Sequence, residues 1–194
     1  MNGLNQMREL ISSFTRLREE EWQQFSKLLL QRSFPKGSYL CKEGQVENYI
    51  FFLVKGATRN YFLKDGKEFT VDFLFEGEMV TAYYSFITRQ PSMIAIQAIE
   101  DIEAILIPYQ LLQDFYQQSH SGERIGRLIA EFHYKKRLER EMGLLSTTAE
   151  DRYRQLMNRN PGLIRNTSVK HLSTYLGIQP ESLSRIRKLY AGYL

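Results

Sequence analysis

The chain has 194 residues and a net charge of +4, with ordinary apolar and charged fractions and a single cysteine, Cys41. That length allows one large domain or two small ones with real cores. One cysteine excludes an intramolecular disulfide and an iron–sulfur cluster held by several cysteines of one chain. No apolar run approaches the ~20 residues that span a bilayer, and Met1-Asn2-Gly3-Leu4-Asn5 lacks a basic start followed by an apolar core. The expectation is a cytoplasmic protein with no membrane partner.

Charge is unevenly placed. Residues 1–120 sum to −3 and residues 121–194 to +7. A basic C-terminal third suits binding to a polyanion, because phosphates release counterions on association. A solvated helical surface would look the same by charge alone.

Residues Leu4 to Leu30 read as helical, with Leu10, Phe14, Leu17, Phe25, Leu28 and Leu29 near helical spacing. Glu19, Glu20 and Glu21 mark the first turn of a second helix. Phe34-Pro35-Lys36-Gly37 ends it. From Ser38 to about Pro108, short apolar and aromatic runs alternate with glycine turns. Asp65-Gly66 between two such runs predicts a tight hairpin. Met93 to Ala98 and Ile102 to Ile107 read as further strands. This regular spacing indicates a sandwich or barrel-like β-domain.

Tyr109 to Gln118 reads as a short helix, ended by Ser121-Gly122. A long helix follows from Glu123 to about Leu145. Leu128, Phe132, Leu138, Met142 and Leu145 form a narrow, near-heptad stripe on an otherwise charged helix, which a partner helix explains better than a globular core. Thr147 and Glu150 suggest a capping box. Helix resumes from Asp151 to Met157, and Asn160-Pro161-Gly162 breaks it.

Val169 to Lys188 is the most informative stretch. A helix-turn-helix needs a small fifth residue where two helices cross, and Ser173 is small. Its ninth residue enters a left-handed turn, and Gly177 suits that. Leu172, Leu176, Ile178, Leu183 and Ile186 fall on the shared-core positions. Pro180 sits at the first turn of the second helix, where its missing N–H costs nothing. The solvent face then carries Glu181, Ser182, Ser184, Arg185 and Lys188, with Arg187 close by. Arginine reads guanine bidentately and glutamate accepts from cytosine. Phosphate contacts, which position the helix without reading sequence, fall to Ser182, Ser184, Arg187, Lys188 and Lys170.

These residues resemble the Crp/Fnr family of bacterial regulators over nearly the whole chain. Phe34-Pro35-Lys36-Gly37, Gly44, Leu53-Val54-Lys55-Gly56 and Phe75-Glu76-Gly77-Glu78 are similar to the glycine-punctuated β-roll of its cyclic-nucleotide-binding domain. Glu181-Ser182-Leu183-Ser184-Arg185-Ile186 is similar to its Glu-Thr-Val-x-Arg-Ile recognition pattern, and that resemblance implies base reading by Glu181 and Arg185. The resemblance implies an α+β chain in three parts: a double-stranded, jelly-roll-like β-roll sensor at residues 1–120, a dimerisation helix and hinge at 121–146, with tilting expected near Ser146 to Thr148, and a winged-helix/helix-turn-helix domain at 147–194. The wing is expected to be reduced, since few residues follow Lys188. The implied function is transcription regulation by a homodimer on a palindromic duplex site, with RNA polymerase as a further partner.

Departures from the family pattern matter as much. Members that bind cyclic AMP carry a phosphate cassette of Gly-Glu-Leu, then about ten residues, then Arg-Ser-Ala. Here Thr81-Ala82-Tyr83 and Ser92-Met93-Ile94 stand in those places, so the ribose carboxylate and the phosphate arginine are both missing. A buried phosphate without a cation is costly, and Arg89 would need rearrangement to substitute. No cyclic AMP binding and no cofactor are expected. Thr81, Tyr83, Tyr84, Arg89, Ser92 and Met93 are the candidate effector-pocket residues. With Phe86, the aromatics and Met93 would either line an apolar pocket for an unknown effector or simply fill the β-roll. Haem would want an axial His, Cys or Met, and His120 and His133 lie outside the roll. Residues 38–108 contain no histidine, which argues against cupin-type metal chemistry. No P-loop, nucleophile elbow or dinucleotide fingerprint occurs. A metal site and an enzyme are therefore not expected. The alternative function is a β-roll ligand module acting through protein partners.

Overall fold

A computed structural model describes residues 3–190 of the chain. It contains, in order, α1 (Gly3–Phe14), α2 (Glu19–Ser26), β1 (Leu30–Phe34), β2 (Tyr39–Cys41), β3 (Tyr49–Lys55), β4 (Thr58–Lys64), β5 (Lys67–Leu74), β6 (Met79–Val80), α3 (Tyr83–Thr88), β7 (Ala95–Ala98) and β8 (Ile102–Pro108). Helices α4 (Tyr109–Gln118), α5 (His120–Ser146), α6 (Ala149–Arg159), α7 (Pro161–Asn166), α8 (Val169–Leu176) and α9 (Pro180–Leu189) follow. The chain forms two compact units. One runs through Phe62 and includes Asp72–Phe132; the other comprises Leu63–Val71 and the chain from His133. The division falls inside α5.

The strands form two four-stranded sheets, ordered β1-β8-β3-β6 and β2-β7-β4-β5; all of the first sheet lies in the first unit, while the β4–β5 tip of the second, Leu63–Val71, belongs to the second unit. Strand alternation explains the two cores of the first unit. Phe51, Leu53, Ala104 and Leu106 face Cys41, Ile96 and Ala98 of the other sheet. Phe52, Ile105 and Ile107 face the opposite way, onto Met7, Ile11, Trp22, Phe25, Leu112 and Ile125. The central strands β3 and β8 are therefore buried on both faces, which is why Ile50–Val54 and Ala104–Ile107 read as apolar runs. Asp65 and Gly66 both take positive φ, at 52° and 72°, as the hairpin reading requires.

Local outcomes differ from expectation in four places. Leu30–Phe34 is a strand paired with β8 rather than a helix end. Tyr83–Thr88 forms α3. Gly122 lies within α5 instead of ending a helix: a Cβ there would sit 2.6 Å from the Phe115 carbonyl, so glycine permits the close approach of α4. The helix cap after α5 is shifted by one residue. Thr148, not Thr147, caps α6, its Oγ1 accepting from the Asp151 N–H at 3.1 Å.

In the second unit, Tyr153, Leu156, Leu163, Ile164, Leu172, Tyr175, Leu176 and Leu183 are buried and form the core of α6–α9. Asn160 caps α7, its Oδ1 accepting from Leu163 N–H at 2.9 Å, and Pro161 starts that helix. The break foreseen at residues 158–162 is thus a restart. Residues after Tyr190, where any wing would begin, lie outside the described residues.

Candidate nucleic-acid interface and sensor pocket

Helices α8 and α9 meet as the sequence pattern requires. Ser168 caps α8, accepting from His171 N–H. Ser173 is 1% exposed, where only a small side chain fits between helices. Gly177 ends α8 in the left-handed region at φ 67°, and the Ile178 N–H then donates to the Ser173 carbonyl at 3.0 Å. Leu172 and Leu183 are fully buried, and Ile178 and Ile186 are half-buried.

On α9, Glu181 and Arg185 are exposed and one turn apart, hence on one face. Ser184 and Lys188 are exposed, Ser182 is half-buried, and Lys170 is exposed on α8. Arg187 is placed differently from expectation. Its Nη2 donates to the Ile164 carbonyl at 2.7 Å and the Thr167 carbonyl at 3.2 Å, so it ties α9 to the end of α7 and is not presented outward for phosphate. Its position on the helix, one residue past the seam position Ile186, turns it inward.

Two more arginines that contribute to the basic total are internal. Arg140 of α5 donates to the Tyr175 carbonyl at 2.9 Å and stacks 3.8 Å from the Tyr175 ring centroid. Arg152 of α6 donates to the Leu176 carbonyl at 3.0 Å and to the Thr147 carbonyl. Both satisfy carbonyls at the end of α8, where a cation also complements the helix dipole. The Thr147 and Thr148 segment is bonded on both sides, so it is a firm connection within the second unit.

The hairpin segment Leu63–Val71 belongs to this second unit. Thr70 N–H donates to Thr174 Oγ1 at 3.2 Å, and Thr70 Oγ1 donates to the His171 carbonyl at 3.1 Å. Glu68 Oε2 lies 3.3 Å from His171 Nε2. An edge strand leaves backbone donors unpaired, and α8 supplies an acceptor here. Alternation marks residues 67–74 as a strand, but no local signal points to α8.

The expected effector-pocket residues divide: Thr81, Arg89 and Ser92 bond the segment Gln45–Tyr49, while Tyr83, Tyr84 and Met93 stand exposed. Tyr83, Tyr84 and Met93 are 50%, 53% and 61% exposed, while Phe86 is buried in the helix-facing core. Thr81 Oγ1 donates to the Tyr49 carbonyl, and Ser92 Oγ to the Ile94 carbonyl. Arg89 caps α3 with φ 59°; its Nη1 donates to the Glu47 carbonyl at 2.6 Å, its Nη2 bonds Asn48 Oδ1, and its guanidinium stacks 4.1 Å from the Tyr109 ring centroid. A cleft of about 410 Å³ does exist, lined by Leu40, Cys41, Gln45, Val46, Glu47, Asn48 and Tyr49, none of them foreseen.

Along α5, Phe132, Leu138, Met142 and Leu145 are exposed, Leu145 at 85%. Leu128 is half-buried. Phe132 also meets Phe14 edge-on, with centroids 5.4 Å apart.

Comparison with known proteins fits this architecture. Residues 31–119 match the family model described as the cyclic nucleotide-binding domain. FixK2 from Bradyrhizobium japonicum aligns with a TM-score of 0.69 at 20% identity, covering 86% of each chain. The c-di-GMP responsive global regulator CLP of Xanthomonas campestris gives 0.67 at 18%, covering 90% of this chain and 92% of that one. A regulator assigned to the Crp/Fnr family from Eubacterium rectale gives 0.70 at 17%, covering 91% and 85%. No curated protein matches. Over most of its length the chain thus has the fold of these three solved structures, and its residues 31–119 are similar to the cyclic nucleotide-binding domain. Among the described residues, no helix is long and apolar enough to cross a membrane.

Proposed function

We propose that the protein is a dimeric, sequence-specific DNA-binding transcription regulator of the Crp/Fnr type, controlled by an effector other than cyclic AMP or by none. The observation that carries this reading is the α8–α9 pair: a sterically complete helix-turn-helix with Glu181 and Arg185 exposed on one face of α9. In it, Glu181 and Arg185 read bases, while Lys170, Ser182, Ser184 and Lys188 contact phosphates. The apolar residues exposed along α5 support pairing of two chains, which sets two reading heads about one helical turn apart on a palindromic site. RNA polymerase is the partner such a cytoplasmic regulator would act on.

Selection of duplex sites from a random library, followed by titration at several salt concentrations, tests this. The expected result is an enriched palindrome and an affinity that falls steeply with salt. Binding with no enriched sequence would overturn the specific reading. Capture of a protein partner with no affinity for duplex DNA would favour the β-roll module acting through proteins.

A further inference from the structure

We propose that Glu47 is a built-in anion that closes the cassette segment of the β-roll, so that this domain keeps its folded arrangement with no anionic effector. The inference rests on the reading of the roll as the input domain and concerns what that input site accepts.

Glu47 lies between β2 and β3 and is 2% exposed. A buried carboxylate persists only where its lone pairs are met. Its Oε1 accepts from the Asn48 and Tyr49 N–H groups, each at 3.0 Å. Its Oε2 faces the Ala82 N–H at 3.5 Å, and the Cys41 thiol is a further partner. Ala82 is the middle residue of Thr81-Ala82-Tyr83, the segment standing where the ribose-binding Gly-Glu-Leu is absent.

The backbone of Glu47 is bonded to the same region. Its N–H donates to Ser85 Oγ at 2.9 Å, and Ser85 Oγ donates on to the Gln90 carbonyl at 2.5 Å. Its carbonyl accepts from Arg89 at 2.6 Å. One residue therefore meets the start, the middle and the end of α3.

Several backbone N–H groups beside a guanidinium make up the donor set a phosphate or carboxylate ligand recruits. Here a side chain of the chain itself takes the N–H groups, and carbonyls and Asn48 take Arg89. The adjoining cleft, which Glu47 lines, is left with a carboxylate that repels anions. Consistent with that, burial and the neighbouring Glu47 push the Cys41 thiol up to about 12.

The test uses the full chain as wild type, Glu47→Gln and Glu47→Ala. Amide hydrogen exchange is read at Asn48, Tyr49 and Ala82. Thermal unfolding is read in sodium acetate against sodium chloride at equal ionic strength, and cyclic AMP is titrated by calorimetry as the anionic effector probe. Wild type should show three protected amides, no heat with cyclic AMP and no acetate-specific shift. Glu47→Ala should exchange faster at those amides, by about tenfold for a lost hydrogen bond. Acetate, which replaces the deleted carboxymethyl group, should raise its Tm and slow that exchange. If Glu47→Ala does not fold, Glu47→Gln decides, because its single side-chain oxygen replaces only one carboxylate oxygen: keeping the Asn48 and Tyr49 bonds turns an NH2 group, which cannot accept, to the Ala82 N–H. Micromolar cyclic AMP binding by wild type, an equal acetate effect on wild type and Glu47→Ala, or unchanged exchange at Ala82 in the folded variants would each overturn the proposal. None of these readouts involves DNA, so failure of the DNA-binding reading leaves them intact.

Discussion

The reading head and the cassette region differ in the range of the contacts that build them. In α8–α9, the decisive contacts join residues a few positions apart: Ser168 to His171, Ser173 to Ile178, Gln179 to Leu183. In the cassette region they join Glu47 to Ala82 and Ser85, Arg89 to Asn48, and Ser92 to Gln45. Local geometry ties spacing to contact, so twenty residues specify a helix-turn-helix. A β-roll brings distant strands together, and its polar contacts follow pairing that spacing does not encode.

The largest effect expected lies in the reading head's core. Leu172 is 0% exposed between α8 and its neighbours. Leu172→Ala should cost about 2–5 kcal/mol, from lost transfer energy and the cavity left behind. Urea unfolding would check it. A loss below ~1 kcal/mol would show that the helices repack freely and that the steric match is loose.

Arg185 and Arg187, two residues apart on α9, should part company. Arg185 is exposed, so Arg185→Ala should leave Tm nearly unchanged while relaxing base preference by about 1–3 kcal/mol at one position of the site. Arg187→Ala removes the donor to the Ile164 and Thr167 carbonyls and should lower stability by roughly 1–3 kcal/mol with base preference intact. Site selection and thermal unfolding on both variants separate the roles. Loss of specificity from Arg187→Ala without loss of stability would return it to the DNA face.

How much was legible follows the same division. The turn at Asp65-Gly66, the strands β3 and β8, and the seam of α8–α9 were readable because each is set by residues within one turn or one strand. Strand β1 was not, since Leu30 to Ser33 are exposed and carry no apolar alternation; pairing with β8 makes it a strand. The basic C-terminal third was readable as charge but not as function. Arg140, Arg152 and Arg187 are charges used on carbonyls, and a count does not separate them from Arg185. Tyr83, Tyr84 and Met93 followed an apolar-pocket expectation by type, whereas the cleft is lined from the β2–β3 loop.

The cassette region should also respond to acid in its own direction. Burial, the largest cause, raises the Glu47 carboxyl above its ordinary range against the opposing hydrogen bonds. A carboxyl raised in the folded state binds protons more tightly there than when unfolded, so its contribution to stability falls as pH rises from the ordinary value to the folded one, then levels off. Glu21 has the opposite sign: its hydrogen bond from Ser119 lowers it, and that contribution is lost as pH falls through its folded value. The stability of wild type relative to Glu47→Gln should therefore rise on acidification from neutral pH and flatten below the ordinary carboxylate value, where the unfolded chain is protonated as well. Denaturant unfolding of both proteins across mildly acid pH measures it, and a difference that does not vary with pH would mean that Glu47 does not titrate there.

The smallest effect is expected where a long-range contact meets the reading head. Thr70 and Thr174 share a hydroxyl bond at 3.0 Å, and Thr174 Oγ1 also accepts from the Thr70 N–H. Thr174 lies on α8, away from the exposed face of α9, so Thr174→Ala should leave base preference unchanged. Its stability cost should be about 0.5–1.5 kcal/mol, the net worth of such a bond. Thr70→Val removes the same hydroxyl bond from the other side. If the contact is real, the double variant should cost less than the two single losses added together, because the second change has no bond left to break. Strict additivity would mean that the hairpin and α8 do not meet in solution, and that the reading head rests on α5, α6 and α7 alone.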